Sequence, residues 1–208
     1  MNDKPRDFDK DAVSWDENAG RVKMAFHIAN SIIGAVPLNA EMDMLDFGCG
    51  TGLLTLRLQP LVRSIIGVDS SAGMLAVLEN KIQMQQLTNI QTKHLDVEKG
   101  EVLTGAYDLV VSSMTLHHVQ EIKPLLAQFY KVMKPGGHLC LADLDPDNGH
   151  FHGNNAGVFH FGFDHQVLQQ AIAGVGFIKI DFRQASEIVR FYPGGVRPFA
   201  IFLVTARK

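Results

Sequence analysis

The stretch MLDFGCGTG, Met44–Gly52, decides the fold of this chain. An apolar run ends at Asp46, three glycines follow at alternate positions (Gly48, Gly50 and Gly52), and a second apolar run, LLTLRL, comes next. This order predicts a strand, a tight turn and the start of a helix, because glycine adopts the backbone angles of such a turn and lets a ligand approach the main chain. Since the N–H groups at a helix start point towards polar or anionic ligands, the stretch predicts a nucleotide-type ligand.

The spacing of the glycines narrows the kind of nucleotide. Dinucleotide sites carry G-x-G-x-x-G, whereas G-C-G-T-G is one residue shorter between its second and third glycine. A purely structural turn can have the same composition, so the glycines alone leave that alternative open. A further apolar run, RSIIGVDSS, ends at Asp69, about 20 residues beyond the glycines. A carboxylate there can accept hydrogen bonds from both hydroxyls of a ribose.

Three more segments extend the pattern. Asp96 follows an apolar–polar run in NIQTKHLDVEKG, and the segments YDLVVSSMTLHHV (Tyr107–Val119) and VMKPGGHLCLAD (Val132–Asp143) come after it in order. Together, the five motifs across residues 40–145 resemble the class I S-adenosylmethionine-dependent methyltransferases, whose first motif is acid-x-G-x-G-x-G. This half of the chain is similar to the ubiquinone- and menaquinone-pathway methyltransferases, but their acceptors cannot be transferred to it.

The resemblance implies S-adenosylmethionine as cofactor and S-adenosylhomocysteine as product. In the family, an acid at the position of Asp69 ends the second strand, and an acid at the position of Asp96 contacts the adenine amino group. Met74 suits an adenine contact, although core packing explains it equally well. The residues that we expect to bind the cofactor are Asp46, Gly48, Cys49, Gly50, Gly52, Asp69, Ser70, Met74, Asp96, Val97 and Ser112.

Strand and helix signals alternate along most of the chain. We predict strands near 42–47, 64–69, 89–94, 107–112, 137–143, 177–184 and 198–206, and helices near 16–35, 51–60, 71–86, 121–133 and 164–175. This alternation predicts an α/β, doubly wound, Rossmann-like parallel sheet with helices on both faces. The resemblance adds seven strands in the order 3-2-1-4-5-7-6, with strand 7 antiparallel, as a three-layer αβα architecture.

We expect residues 1–208 to form a single domain. Its parts are an N-terminal segment and helix covering the site (1–38, with residues 1–15 loose), a cofactor-binding core (40–145), a lid loop (146–163), and a C-terminal helix with an edge hairpin (164–208). A loop over 186–197, containing Pro193, Gly194 and Gly195, joins the hairpin strands.

Composition excludes several other classes of protein. The net charge of −3 and the absence of a Lys/Arg cluster argue against a nucleic-acid acceptor. No apolar run reaches the length of a membrane span, and the polar N-terminus lacks the core of a signal peptide. Two cysteines offer no disulfide framework. We therefore expect a cytoplasmic protein, monomeric or homodimeric, with a small-molecule acceptor.

Methyl transfer from a sulfonium is an in-line displacement that mainly needs alignment, which can supply about 7–11 kcal/mol. A catalytic residue is therefore not obligatory, although some acceptors need a general base. His117 follows the fourth strand, in the loop that faces the methyl group in related enzymes, and we predict it as general base or acceptor-orienting group. A helix-capping or carbonyl-bonded histidine is an equal alternative, and His118 is more typical of a structural residue.

The stretch from Asp145 to Phe163 is long for a loop in a compact domain, and such loops are often lids. We predict that it closes over an apolar or aromatic acceptor. The residues expected to contact that acceptor are Trp15, His152, His160 and Tyr192. The alternative is a loop whose phenylalanines only cover the sheet edge.

Two possible metal sites in this loop do not have the residue spacing that the metals require. The segment Asp143–Gly149 resembles the start of a calcium loop, but its glycine comes one residue late and Pro146 stiffens its middle. The spacing of His150, His152 and His160 matches no standard zinc site. We therefore assign no metal.

Two other functions remain open at this point. One is a non-catalytic, cofactor-binding regulatory protein of the same fold, against which the intact glycine motif and Asp69 argue. The other is a nicotinamide-dependent oxidoreductase, which the glycine spacing and the KPGG segment disfavour.

Overall fold

Within residues 4–192 and 195–208, which the computed structural model describes, seven strands form one mixed sheet. The strands are β1 (Asp43–Phe47), β2 (Ser64–Asp69), β3 (Ile90–His94), β4 (Tyr107–Ser113), β5 (Met133–Leu144), β6 (Ile178–Tyr192) and β7 (Gly195–Arg207). Their order is β3-β2-β1-β4-β5-β7-β6, and β7 runs antiparallel to both of its neighbours. The remaining pairs are parallel, so the predicted doubly wound topology is confirmed.

Helices cover both faces of this sheet. They are α1 (Phe8–Asp11), α2 (Ala19–Ala35), α3 (Thr55–Leu58), α4 (Ala72–Met84), α5 (Ile122–Val132) and α6 (His165–Val175). Because neighbouring side chains of a strand point to opposite faces, Met44 packs with Ile28 of α2 while Leu45 packs in the cluster that holds Phe129 of α5. The result is the predicted three-layer arrangement. None of the described helices combines the length and apolar character needed to cross a membrane.

The centre of the sheet positions the site. Strand β1 lies between β2 and β4, so the connections from its two neighbours leave in opposite directions. In an open α/β sheet, such a switch point leaves a crevice beyond the carboxyl ends of the strands, where ligands bind. Here those ends are Phe47, Asp69 and Ser113.

The helix after the glycine motif is shorter than predicted. Residues 51–60 were expected to be helical, but the structure holds only α3 and a 3₁₀ turn at Gln59–Leu61. Gly52 has a φ of 83°, and its N–H donates to the carbonyl of Cys49 at 2.9 Å. Because the backbone of Gly52 is in the left-handed region, the helix begins only at Thr55.

The strands at the C-terminal edge are longer than predicted. Strand β5 begins at Met133, directly after α5, and takes in the KPGG segment with Gly136 at a φ of 78°. Strands β6 and β7 pair as far as Tyr192 and Gly195, so most of the predicted 186–197 loop is hairpin. Pro193 and Gly194 lie outside the described residues.

The N-terminal segment is more ordered than predicted. Residues 1–15 were expected to be loose, but α1 and a 3₁₀ helix at Ala12–Glu17 occupy much of this range. Asp7 caps α1 by accepting from the Lys10 N–H. The segment also makes tertiary hydrogen bonds to α4 and to the glycine motif, which pattern reading along the chain could not anticipate.

Candidate functional site

The glycine motif forms a turn that rests on β2. The N–H groups of Gly48 and Cys49 both donate to the carbonyl of Val68, at 2.8 and 3.0 Å. Gly48 has a φ of 71°, and a Cβ on it would lie 2.2 Å from the hydroxyl oxygen of Thr115. Both the backbone angle and the lack of space therefore require glycine at this position.

A cavity of about 960 Å³ opens beyond the carboxyl ends of the central strands. It is bounded by the glycine motif, the N-terminal segment, the loop over 146–163 and the distal part of β6. The predicted cofactor residues that line it are Asp46, Gly48, Cys49, Gly50, Asp69, Ser70, Met74, Asp96 and Val97. One crevice therefore collects predicted cofactor residues from three separate sequence motifs and from the first turn of α4.

Two predicted cofactor residues do not line this cavity. Ser112 is buried, and its hydroxyl donates to the carbonyl of Phe47 at 2.8 Å, so it joins β4 to β1 instead. Gly52 faces α4, where a Cβ would lie 2.4 Å from Leu78. The residues after Ser112 line the cavity in its place, among them Met114, whose φ is 55°. Such positive φ values at non-glycine residues cluster at functional sites.

A buried carboxylate, Asp46, and a half-buried one, Asp69, dominate the electrostatics of the glycine turn. Asp46 is fully buried and accepts from the Thr55 hydroxyl at 2.6 Å, and burial raises the pKa of this carboxyl to about 7. Asp69 accepts from the N–H groups of Gly50 and Ser71 at 2.8 and 2.9 Å, and burial raises its pKa as well. A ligand that brings hydrogen-bond donors or positive charge would stabilise the ionised form of both carboxylates.

The N-terminal segment attaches to the same turn through two further acids. Asp9 accepts from the Ser71 hydroxyl and the Gly73 N–H, at 2.6 and 2.8 Å, at the start of α4. Asp16 accepts from the Thr51 hydroxyl at 2.6 Å and forms an ion pair with Lys81. These contacts hold the segment against the cavity.

A cluster of histidines also lines the cavity. Nδ1 of His117 lies 2.7 Å from the carboxylate of Asp143, and both residues are buried. Nδ1 of His118 lies 2.8 Å from the carbonyl of Gly157. His152 approaches both of them, with ring centroids 5.0 Å from His117 and 5.7 Å from His118.

Burial keeps two of these imidazoles neutral. Burial, and after it the neighbouring His117, lowers the pKa of His118 and of His152 to about 4 in each case. Near pH 7 both rings therefore carry a lone pair on one nitrogen. Within the described residues, Nε2 of His152 is buried and has no hydrogen-bond partner.

The predicted acceptor residues are only partly brought together. Trp15 and His152 line the cavity, as does His117. His160 does not, because its Nε2 bonds the carbonyl of Val119 at 3.0 Å and its ring packs near Phe163. Tyr192 ends β6, and its side chain lies outside the described part of the structure.

The loop over 146–163 is attached to the body of the protein at several points. Phe151 and Phe163 are buried in the clusters on opposite faces of the sheet. The N–H of Phe159 donates to the carbonyl of His117 at 2.9 Å. Phe159 and Phe161 are exposed. This arrangement has features of both predicted alternatives, since the loop covers the sheet edge and also lines the cavity.

Sequence reading missed three arginines that line the cavity: Arg6, Arg21 and Arg190. The guanidinium of Arg21 lies 3.9 Å from the ring centroid of Trp15, and that of Arg6 lies 4.8 Å from it. These residues come from both ends of the chain, so no local motif could have marked them.

Residues 44–137 match the family model described as "Methyltransferase domain". An uncharacterised methyltransferase of Schizosaccharomyces pombe is 33% identical over 120 residues, which are 54% of this chain and 42% of that protein. The chain spans between about a fifth and about a half of the length of the curated relatives that it matches.

Solved structures share the fold. The YcgJ protein of Bacillus subtilis superposes with a TM-score of 0.74 at 16% identity, covering 88% of this chain and 98% of that one. The phosphoethanolamine N-methyltransferase 2 of Haemonchus contortus, crystallised with S-adenosyl-L-methionine, superposes with a TM-score of 0.69 at 16% identity, covering 86% of this chain and 52% of that one.

The predicted motifs, the observed strand order and the family match agree on one family. S-adenosylmethionine is the cofactor of that family. The match over residues 44–137 and the shared fold support a class I S-adenosylmethionine-dependent methyltransferase.

Proposed function

We propose that this protein transfers the methyl group of S-adenosylmethionine to a small-molecule acceptor by in-line displacement. The observation that carries the proposal is a single cavity that is lined by the glycine turn, by Asp46 and Asp69, and by His117. Because the sulfonium is already activated, a site that aligns the acceptor and excludes water supplies most of the catalysis.

The cofactor end is suited to a cationic nucleoside. Asp69 accepts the ribose hydroxyls, and Asp96 and Met74 bound the adenine. The glycine turn brings backbone close to the amino-acid part of the cofactor. Asp46 is buried beneath the turn, where a bound ammonium or sulfonium would favour its ionised form.

The acceptor end is aromatic and basic. Phe8, Trp15 and Phe151 line the cavity together with Arg6 and Arg21. Guanidinium groups bind carboxylates and phosphates, and aromatic rings stack on planar apolar groups. We therefore propose an acceptor that has an apolar or aromatic body and carries an acidic group.

His117 supplies the polar group nearest to the reaction. The Asp143 carboxylate, at 2.7 Å, accepts from Nδ1–H of His117 and leaves the lone pair on Nε2. This imidazole serves as general base where the acceptor must lose a proton, or orients the acceptor where it need not.

Calorimetric titration with S-adenosylmethionine, S-adenosylhomocysteine and NAD tests the cofactor. We expect saturable binding of the first two and none of NAD. A screen of acidic aromatic and aliphatic acceptors, read out as S-adenosylhomocysteine formed, then tests transfer. Tight cofactor binding without turnover on any acceptor would favour the regulatory alternative.

Replacing His117 tests the acceptor end separately. For an acceptor that must be deprotonated, His117→Gln should lower kcat by about 10²–10⁴-fold and leave the Kd of S-adenosylmethionine unchanged. Equal losses in kcat and in cofactor affinity would contradict this assignment.

A further inference from the structure

Three histidines converge on one point of the cavity wall. One potential ligand nitrogen from each of His117, His118 and His152 lies within 4.8 Å of the other two. His117 and His118 come from the short helix after β4, whereas His152 comes from the loop after β5. All three line the cavity, so a ligand held among them would face its interior.

The hydrogen bonds of these rings leave lone pairs available. Nδ1–H of His117 donates to the Asp143 carboxylate at 2.7 Å, and Nδ1–H of His118 donates to the carbonyl of Gly157 at 2.8 Å. Each of these bonds places the lone pair on Nε2. Histidines that ligate metals almost always donate their second N–H to a carboxylate or carbonyl in this way.

His152 provides an independent sign of a missing partner. Its Nε2 is buried, and within the described residues it has no hydrogen-bond partner. An unsatisfied buried polar atom costs about 1–3 kcal/mol, so native structures rarely contain one without a reason. A ligand bound at this nitrogen would remove that cost.

We propose that His117, His118 and His152 bind one divalent transition-metal ion of the zinc type, with Asp143 as the outer carboxylate that orients His117. Imidazole nitrogens suit zinc and its neighbours, whereas magnesium and calcium prefer oxygen. Tetrahedral zinc with Zn–N bonds of about 2.0–2.1 Å needs nitrogens roughly 3.3 Å apart. Because the three nitrogens lie at most 4.8 Å apart, side-chain adjustments of up to about 1.5 Å would close the site.

Charges around the cluster act in both directions. Asp143 and Asp147 favour a bound cation, while Arg6 and Arg190 oppose it.

Three protein ligands leave at least one coordination position for water or substrate, as in catalytic zinc sites. Resting on the proposed function, this position would receive an oxygen or thiolate of the methyl acceptor. The metal would then make His117 an acceptor-orienting ligand, because an Nε2 bound to metal cannot act as a base.

Metal binding can be measured without cofactor or acceptor. Untagged full-length protein is freed of metal with a chelator and titrated with Co²⁺, and Zn²⁺ affinity is measured by competition with a coloured indicator. We expect one equivalent of Co²⁺ to produce the visible bands of a tetrahedral site and Zn²⁺ to abolish them. Absence of saturable binding by the folded wild-type chain would overturn the proposal.

Variants locate the site. His152→Ala and His118→Ala should each weaken Zn²⁺ binding by more than about 100-fold, and Asp143→Asn should weaken it by about 10–100-fold. His160→Ala is the matched control, since His160 lies in the same loop but outside the cavity, and it should leave affinity unchanged. Equal losses in the control would overturn the assignment.

Circular dichroism of the metal-free variants is the control that tests whether they are folded. Calorimetric titration of the same metal-free proteins with S-adenosylmethionine separates the two proposals. A wild-type protein that binds S-adenosylmethionine but no metal contradicts only the metal site, and a wild-type protein that binds metal but no S-adenosylmethionine contradicts only the proposed function.

Discussion

At the scale of single residues, buried charge sets the chemistry of the glycine turn. Asp46 is the last residue but one of β1, Asp69 ends the neighbouring strand β2, and both are largely shielded from water. Desolvation of a carboxylate is costly unless donors or positive charge compensate it. The chain places these acids where a cationic nucleoside would provide that compensation, so stability and ligand affinity are linked at the same side chains.

Asp69→Asn should weaken S-adenosylmethionine binding. The change removes the negative charge that strengthens the hydrogen bonds to the ribose. Hydrogen bonds to a charged group contribute about 1.5–3 kcal/mol, so the Kd should rise roughly tenfold to a hundredfold. Calorimetric titration measures the Kd. Asp181→Asn is the control, because that exposed acid on β6 pairs with Arg183 away from the cavity. An unchanged Kd for Asp69→Asn would remove this residue from the cofactor site.

Asp46 should make the ligand-free protein less stable as the pH rises from 6 to 8. Burial raises its pKa to about 7 in the folded state, from an ordinary value of 3.8. The folded state therefore binds more protons than the unfolded state, and stability falls as pH passes through the folded pKa. Between pH 6 and pH 8 the loss in the free energy of unfolding is about 1 kcal/mol.

Urea denaturation of the wild-type protein and of Asp46→Asn at both pH values isolates this effect. The amide keeps an acceptor for the Thr55 hydroxyl but does not ionise. The difference in stability between the two proteins should shift in favour of the variant at pH 8. A difference that is independent of pH would argue against a raised pKa.

At the scale of elements, the glycine turn depends on two different steric requirements. Gly48 and Gly52 both have positive φ, and both lack room for a Cβ, next to Thr115 and Leu78 respectively. The first glycine shapes the cavity wall, while the second seats the turn on α4. The sequence motif shows glycine at both positions, but it does not show that the two glycines have different roles.

Gly52→Ala should destabilise the protein by about 1–3 kcal/mol, because the backbone is left-handed and the new Cβ would lie 2.4 Å from Leu78. Gly34→Ala is the matched control: it lies in α2 with nothing within 4 Å, so alanine should stabilise the protein by about 0.5–1 kcal/mol. Free energies of unfolding from urea denaturation measure both. Similar effects in the two variants would contradict the described turn.

At the scale of the whole molecule, parts distant in sequence complete the cavity. The N-terminal segment approaches α4 so closely that a Cβ on Gly73 would lie 2.8 Å from the backbone of Asp9. The loop over 146–163 and strand β6 supply the rest of the wall. The central strands therefore hold the cofactor end, while the acceptor end depends on peripheral segments.

Gly73→Ala should displace the N-terminal segment from the cavity. Alanine suits the first turn of α4, so the helix itself should not suffer, but the close contact with Asp9 must open. Trp15 is the one tryptophan of the sequence, and we expect its fluorescence to shift towards that of a solvated indole. The Kd for S-adenosylmethionine should rise as well.

Gly174→Ala in α6 serves as control, since nothing lies within 4 Å of that position. Its tryptophan spectrum and cofactor affinity should match those of the wild-type protein. If Gly73→Ala leaves both readouts unchanged, the segment does not contribute to the site.

Local sequence determined the strands, the strand order through its family motifs, and the acids near the carboxyl ends of β1 and β2. These features follow from residues close together in the chain: an apolar run, a glycine turn, and an acid at a strand's end. Because these predictions used only residues close together in the chain, two of them gave wrong element lengths. The delayed helix after Gly52 and the extended hairpin depend on backbone angles and pairing that residue periodicity does not encode.

Only the tertiary structure decided which side chains meet in the cavity. Ser112 and His160 belong to the expected segments but are engaged elsewhere by carbonyl groups, whereas Arg6 and Arg190 line the wall from opposite ends of the chain. His152 meets His117 and His118 only because the loop after β5 folds back over the end of β4. Residue spacing along the chain cannot predict such a contact, because the packed sheet brings together residues that are far apart in the sequence.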